Sequence, residues 1–227
     1  MTFAVRSTFF MPMTIQYILF DLDETLYTDT TGLFTEVGVR IEAWLVQMLH
    51  LSPEEARALR RKYYLAYGTT MMGLLRHHPE LDVDDYLDAA HDVDVAAYLA
   101  PNPALDDLLN ALPVPKAIFT NGIADWADRV LTQLGVREHF GPIIDVRATH
   151  YRGKPWPEAY QQALAIMACP GSACVFVDDQ PRNLKPAADF GMRTVLVAPD
   201  GEPEDGVDFA VDTILDVGSV LHLLLTE

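Results

Sequence analysis

Four short runs of continuous apolar residues punctuate the chain, at 15–20, 116–120, 173–177 and 193–198. Their lack of apolar/polar alternation is the pattern of strands buried on both faces of a parallel sheet. Segments of helical length at 123–134, 157–168 and 181–190 lie between them. Strand and helix thus alternate, which predicts an α/β fold: a doubly wound, Rossmann-like parallel sheet. A weaker run at 143–146 predicts a short extra strand, and 212–225 a closing helix.

The interval from 20 to 116 is far longer than one crossover helix needs, because ordinary βα connections use only about 2 to 6 loop residues. Phe34, Val37, Ile41, Leu45, Met48 and Leu49 recur at helical spacing, as one apolar stripe. Ser52-Pro53-Glu54-Glu55 reads as a capping box with proline at the first helical position, opening a second helix that runs through Leu59 and Tyr63 toward Gly68. Further helical content is expected at 71–75 and 83–91. The expected organisation is an α/β core over 15–27 and 102–227, an inserted all-helical cap over 28–101, and an N-terminal extension over 1–14, disordered or a mis-annotated start ahead of Met11 and Met13.

Charge narrows the partners. Thirty-three acidic residues against 16 Lys plus Arg give a formal net charge of -17, and no basic residue follows Arg193. Nucleic-acid polymers and anionic membrane surfaces, which call for clustered cations, are therefore not expected partners. No apolar run approaches the ~18 to 20 residues that cross a bilayer, and 1–14 has no convincing signal-peptide core. The expectation is a soluble, cytoplasmic monomer or homodimer. Cys169 and Cys174 are too few for a disulfide scaffold or, without further ligands, a zinc site; Cys174 reads as a small buried hydrophobe.

Open α/β sheets bind ligands at the carboxyl ends of their strands. After the first run comes Asp21-Leu22-Asp23-Glu24-Thr25, after the second Thr120-Asn121-Gly122, after the third Asp178-Asp179, and Lys154 lies in the loop Arg152-Gly153-Lys154-Pro155. Carboxylates gathered at one edge repel one another unless a cation is present. Oxygen-only ligation by Asp21, Asp23, Asp178 and Asp179 suits Mg2+, and no His or Cys stands at ligand spacing in these loops. Asp21 is then placed to attack phosphorus, and Asp23 to act as general acid and base. Thr120, Asn121 and Gly122, at the start of the following helix, would bind phosphate oxygens together with Lys154. Arg152 and Arg182 could add positive charge. Singly, each of these short motifs is ordinary; their order, each at a strand end, is not.

These residues resemble the four motifs of the haloacid dehalogenase-like hydrolases over nearly the whole chain from Ile15 onward. The resemblance implies a helical cap between the first and second motifs, with magnesium held by Asp21, the main-chain carbonyl of Asp23 and the Asp178-Asp179 pair, Asp179 directly and Asp178 through water. Dehalogenases of this family lack the second Asp, so Asp23 favours phosphoryl transfer. Phosphonate hydrolysis would use a cap lysine, and the only one, Lys62, reads as part of a solvated basic face with Arg60 and Arg61.

A narrower resemblance, to the pyrimidine 5′-nucleotidase branch, rests on Asp21 to Tyr27, on Gly32-Leu33, and on Tyr64-x-x-Tyr67-Gly68-Thr69-Thr70-x-x-Gly73-Leu74; Thr28 and Glu24 depart from its pattern. It implies a pyrimidine nucleoside monophosphate as substrate, touched by Tyr64, Tyr67, Thr69 and Thr70. The expected activity is a magnesium-dependent phosphomonoesterase acting on a small phosphate ester. A phosphomutase, a 2-haloacid dehalogenase and a non-enzymatic phospho-aspartyl switch are the alternatives.

Overall fold

The computed structural model describes residues 15–226; the expectation for 1–14 lies outside them. Six strands, β1 (Tyr17–Phe20), β2 (Lys116–Phe119), β3 (Phe140–Ile144), β4 (Cys174–Asp178), β5 (Arg193–Val197) and β6 (Phe209–Val211), form one sheet in the order β3-β2-β1-β4-β5-β6. All five pairings are parallel. The chain winds to one side from β1 to β3 and returns to start the other side at β4, so the reversal falls between β1 and β4. Doubly wound sheets open a crevice at that point.

Side chains alternate across the strands. Ile18, Phe20, Ile118, Val175 and Val177 pack on one face with α5 (Pro103–Ala111), α6 (Ala124–Leu134) and α9 (Val217–Thr226). Leu19, Phe119 and Phe176 pack on the other with α7 (Pro157–Met167) and α8 (Pro181–Asp189). Among the described residues no helix is long and apolar enough to cross a membrane.

Between β1 and α5 stand α1 (Leu33–Leu49), α2 (Pro53–Tyr67), α3 (Thr70–His77) and α4 (Val83–Ala90). They pack as α1 on α2, α2 on α3, α3 on α4 and α4 back on α1. The expected capping box opens α2: Ser52 Oγ accepts from Glu55 N–H at 3.3 Å and Glu55 Oε2 from Ser52 N–H at 2.8 Å.

The structure departs from the sequence reading at five places. The stripe on α1 does not bury Phe34 or Met48; Trp44 is buried instead, and donates its Nε1–H to Asp85 at 2.8 Å. The strand expected at 143–146 starts at Phe140 and contains Gly141-Pro142, which a ladder tolerates because β3 is an edge strand. Helix α5, opened by Asn102 accepting from Leu105 N–H and by Pro103, and the three-residue β6 are both additional to the expected elements. The closing helix starts at Val217 rather than 212, after a short turn capped by Thr213 and Asp216.

Candidate active site

The first, second and fourth strands end in polar residues beside the topological reversal. Backbone hydrogen bonds carry the ladder one residue past the strands, from Asp21 N–H to Val177 O at 2.9 Å and from Thr120 N–H to Ile144 O at 3.0 Å. Those bonds fix where Asp21 and Thr120 leave the sheet. Glu24 then turns the chain with φ 64°, a left-handed conformation that Asn adopts more readily than Glu.

Lys154 is the centre of the arrangement. Its side chain is 1% exposed, places its ammonium 5.3 and 5.1 Å from the adjoining rings of Phe119 and Phe176, and donates to Asp21 Oδ1 at 2.6 Å and Asp178 Oδ2 at 2.7 Å. Burial opposes its ammonium charge, but the Asp178 and Asp21 carboxylates outweigh burial and hold its pKa above the ordinary lysine value. Burial raises Asp21 well above the usual carboxylate range, against the attraction of Lys154 and with the repulsion of Asp178 and Asp179 added. Asp179 is pushed up to about 6, by burial first and Asp178 second.

Asp21, Asp178 and Asp179 each offer a carboxylate oxygen, and these atoms all lie within 4.8 Å of one another. Such an oxygen-only cradle, with three carboxylates against one ammonium, fits a hard divalent cation. Asp178 has both oxygens engaged: Oδ1 accepts from Gln180 N–H at 2.8 Å, and Asn183 Nδ2 donates to both Oδ1 and Oδ2. Asp179 is the less buried of the two.

Asp23 is held apart from this cluster. Its Oδ1 accepts from the Tyr27 hydroxyl at 2.5 Å and from Trp126 Nε1–H at 2.9 Å. Thr120 Oγ1 accepts from Gly122 N–H at 3.0 Å, which leaves its own proton free for an anion. Asn121 corrects part of the expectation. It borders the cavity, but its side chain clamps Lys154, accepting from Lys154 N–H at 2.7 Å and donating to Lys154 O at 3.0 Å.

A cavity of about 660 Å³ joins this floor to the helical layer. Tyr64, Thr69, Thr70 and Arg182 line it. Tyr67 does not, contrary to expectation: its ring packs on His77 and Tyr63, and its hydroxyl meets His77 Nε2 at 2.6 Å. Thr69 spends its oxygen capping α3, accepting from Met72 N–H at 3.1 Å. Arg152 and Lys62 are exposed and do not line the cavity. Trp126, Asn183 and His91 border or brace the site without having been singled out from the sequence. A Trp one turn into an amphipathic helix carries no signal separating it from core.

The end of α2 meets the loop that carries Lys154. Trp156 Nε1–H donates to Tyr67 O at 2.8 Å, Arg182 donates to Tyr64 O at 3.2 Å, and the Tyr64 hydroxyl donates to Gln180 Oε1 at 3.3 Å. Gly68, at φ +92°, makes that approach possible, because a Cβ there would stand 2.5 Å from Pro155 Cδ and 3.0 Å from Lys154 O. Gly68→Ala is expected to cost at least about 1 kcal/mol through the left-handed backbone and to push the helices off the Lys154 loop. Thermal midpoints should fall and kcat/KM should drop by about tenfold; wild-type values of both would rule out the close contact.

A family profile for haloacid dehalogenase-like hydrolases matches residues 15–191. Phosphate metabolism protein 8 of Saccharomyces cerevisiae is 27% identical over 194 residues, covering 78% of this chain and 60% of that protein. Glyceraldehyde 3-phosphate phosphatase of Methanocaldococcus jannaschii is 25% identical over 228 residues, covering 92% of this chain and 98% of that protein. Among solved structures, the L-2-haloacid dehalogenase of Xanthobacter autotrophicus superposes with a TM-score of 0.60 at 19% identity, over 92% of this chain and 99% of that one. The dehalogenase likeness concerns the fold alone. With the profile spanning most of the chain, and with four motifs meeting at the carboxyl edge of one parallel sheet, the protein belongs to the haloacid dehalogenase-like hydrolase family.

Proposed function

We propose that the protein is a magnesium-dependent phosphomonoesterase that works through an aspartyl-phosphate on Asp21. The observation that carries this reading is the pairing of two differently held carboxylates on one cavity floor. Asp21 is bound to the buried Lys154, and Asp23 is oriented by two separate donors, Tyr27 and Trp126. Halide departure needs no proton donor, so an oriented second carboxylate favours an oxygen leaving group.

In this reading an Asp21 carboxylate oxygen forms a bond to phosphorus while the bond to the ester oxygen breaks. Asp23 gives its proton to the departing oxygen, then takes one from the water that attacks the phosphoenzyme, releasing inorganic phosphate and restoring Asp21. The Thr120 hydroxyl and the Lys154 ammonium hold the non-bridging oxygens, while the first N–H of α6, on Ala124, is taken by Asp145 Oδ2. Asp21, Asp179, the Asp23 main-chain carbonyl and, through water, Asp178 would hold Mg2+. Bound there, the ion supplies positive charge for the phosphoryl oxygens and neutralises the carboxylate cluster.

The substrate is a small phosphorylated metabolite, and a pyrimidine nucleoside monophosphate is the finer proposal. Its support is the motif pattern together with Phe34 and Tyr64, which are 41% and 40% exposed and line the cavity, offering aromatic faces to a flat base. The cavity volume falls in the ~300 to 1,000 Å³ range of small-molecule sites.

A phosphate-release screen with UMP, CMP, glyceraldehyde 3-phosphate, phosphoglycolate and sugar phosphates tests this, run with Mg2+ and with EDTA. Turnover with Mg2+ should vanish in EDTA and return on adding the ion. Persistent turnover in EDTA would overturn the metal requirement, and no preference for UMP or CMP would overturn the nucleotide proposal. An isomeric ester in place of free phosphate would identify a mutase.

A further inference from the structure

We infer that His91 is a specificity residue of this site, its Nε2 accepting a hydrogen bond from a hydroxyl or amine that the leaving group carries next to the scissile ester. The inference rests on the phosphatase reading above but not on its nucleotide refinement. The carbon beside the ester carbon of a nucleoside 5′-monophosphate carries an ether oxygen, which only accepts. A preference for UMP or CMP over hydroxylated esters in the screen would therefore overturn the inference.

His91 follows α4 and is 7% exposed, yet it lines the cavity. Its Nδ1 lies 2.7 Å from the carbonyl oxygen of Leu87. A carbonyl only accepts, so the imidazole proton sits on Nδ1 and the neutral ring keeps its lone pair on Nε2. Burial supports the neutral form, lowering the imidazole pKa.

The position of Nε2 decides what it can read. A methyl group added to Gly122 would meet His91 Nε2 at 3.3 Å, Thr120 Oγ1 at 3.4 Å and Trp126 Cδ1 at 3.2 Å. Acceptor nitrogen and phosphate-turn hydroxyl therefore border the same small space. Oxygens of an ionised phosphoryl group accept and do not donate, so they cannot satisfy this lone pair. A donor on the leaving group can, and an aliphatic leaving group leaves a buried acceptor without a partner, which is costly.

The ring is also held still. Arg129 donates to the carbonyl oxygens of His91 at 2.7 Å and Val93 at 2.9 Å and lies over the Trp126 ring. The imidazole packs on the same indole, 5.3 Å between centroids, and that indole orients Asp23. The acceptor and the proposed proton donor are thus tied to one side chain, so reading the leaving group and protonating it are linked in space.

The test compares glycerol 3-phosphate with n-propyl phosphate in the presence of Mg2+, in wild type, His91→Phe and His91→Gln. Wild type should favour the hydroxylated ester in kcat/KM by about tenfold or more. His91→Phe should bring the ratio near one by losing activity on glycerol 3-phosphate alone. His91→Gln, whose amide oxygen accepts, should give an intermediate ratio and keeps the test open if the phenylalanine variant does not fold. A wild-type ratio near one, a ratio unchanged in either variant, or an equal loss on both esters overturns the inference. So does failure to hydrolyse glycerol 3-phosphate while other esters of the screen turn over. No release from any ester overturns the phosphatase reading instead.

Discussion

Asp21→Asn is expected to lower phosphate release by at least about 10⁴-fold without weakening the fold. An amide of the same size still offers Oδ1 to the Lys154 ammonium, which donates to Asp21 at 2.6 Å, but it has no carboxylate to attack phosphorus. The electrostatics separate this loss from simple unfolding. Without metal, Asp21, Asp178 and Asp179 crowd around one ammonium, and burial together with mutual repulsion raises the pKa values of Asp21 and Asp179. A carboxyl with a raised folded-state pKa contributes stability that is complete below its ordinary value and is lost as pH rises through the folded value. For Asp179 that window runs from 3.8 to about 6. In EDTA, urea midpoints of the wild type should carry this loss on going up to pH 7, and Asp21→Asn, with one fewer buried charge, should equal or exceed the wild type at pH 7. Residual turnover near the wild-type rate would remove Asp21 as nucleophile. A variant that is inactive and also much less stable would leave the inactivity to misfolding and contradict the charge argument.

Lys154→Met should produce the largest loss of stability. The side chain is buried beside the rings of Phe119 and Phe176, against which methionine, an unbranched apolar side chain, can pack, but Asp21 and the fully buried Asp178 lose their shared cation. Removing one partner of a buried ion pair typically costs about 3 to 5 kcal/mol, because the remaining charge is uncompensated. Asn183 and the Gln180 N–H continue to hold Asp178 and limit the damage. Divalent cation should restore more stability to the variant than it adds to the wild type, since it replaces part of the missing charge. Urea unfolding at pH 7 with EDTA and with Mg2+ measures both effects. Phosphate release should fall by about 10² to 10³-fold even with Mg2+ present, as for loss of a group that stabilises transition-state charge. Wild-type stability in EDTA would mean that Lys154 does not neutralise these carboxylates.

Local pattern was enough for much of this molecule. The continuous apolar runs identified four strands, because a strand buried on both faces has no polar positions to spare. Ser52 and Glu55 marked the start of α2 because a capping box is complete within four residues. The order of Asp21, Thr120, Lys154 and Asp178-Asp179 followed from the rule that strand ends carry chemistry in such sheets. Short or exposed elements were not legible in this way: β6 has three half-buried residues, and β3 carries, directly after Phe140, a Gly-Pro pair that usually marks a turn.

What only tertiary structure decided is which polar groups meet. Lys154 is 133 positions from Asp21, Trp126 is 103 positions from Asp23, and Asn121 is 33 positions from the Lys154 backbone that it clamps. Such contacts depend on strand order and register, and no local spacing encodes them. For the same reason Tyr67, placed by its motif beside Thr69 and Thr70, turns to His77 instead, and Gly68 serves a close approach to Pro155. By itself the sequence determined the alternating α/β scaffold and the acidic and basic residues that belong at its edge, since these follow from periodicity and strand ends. The tertiary structure decided how each carboxylate is held, because burial and hydrogen bonding between distant segments set the charge and orientation on which the proposed chemistry depends.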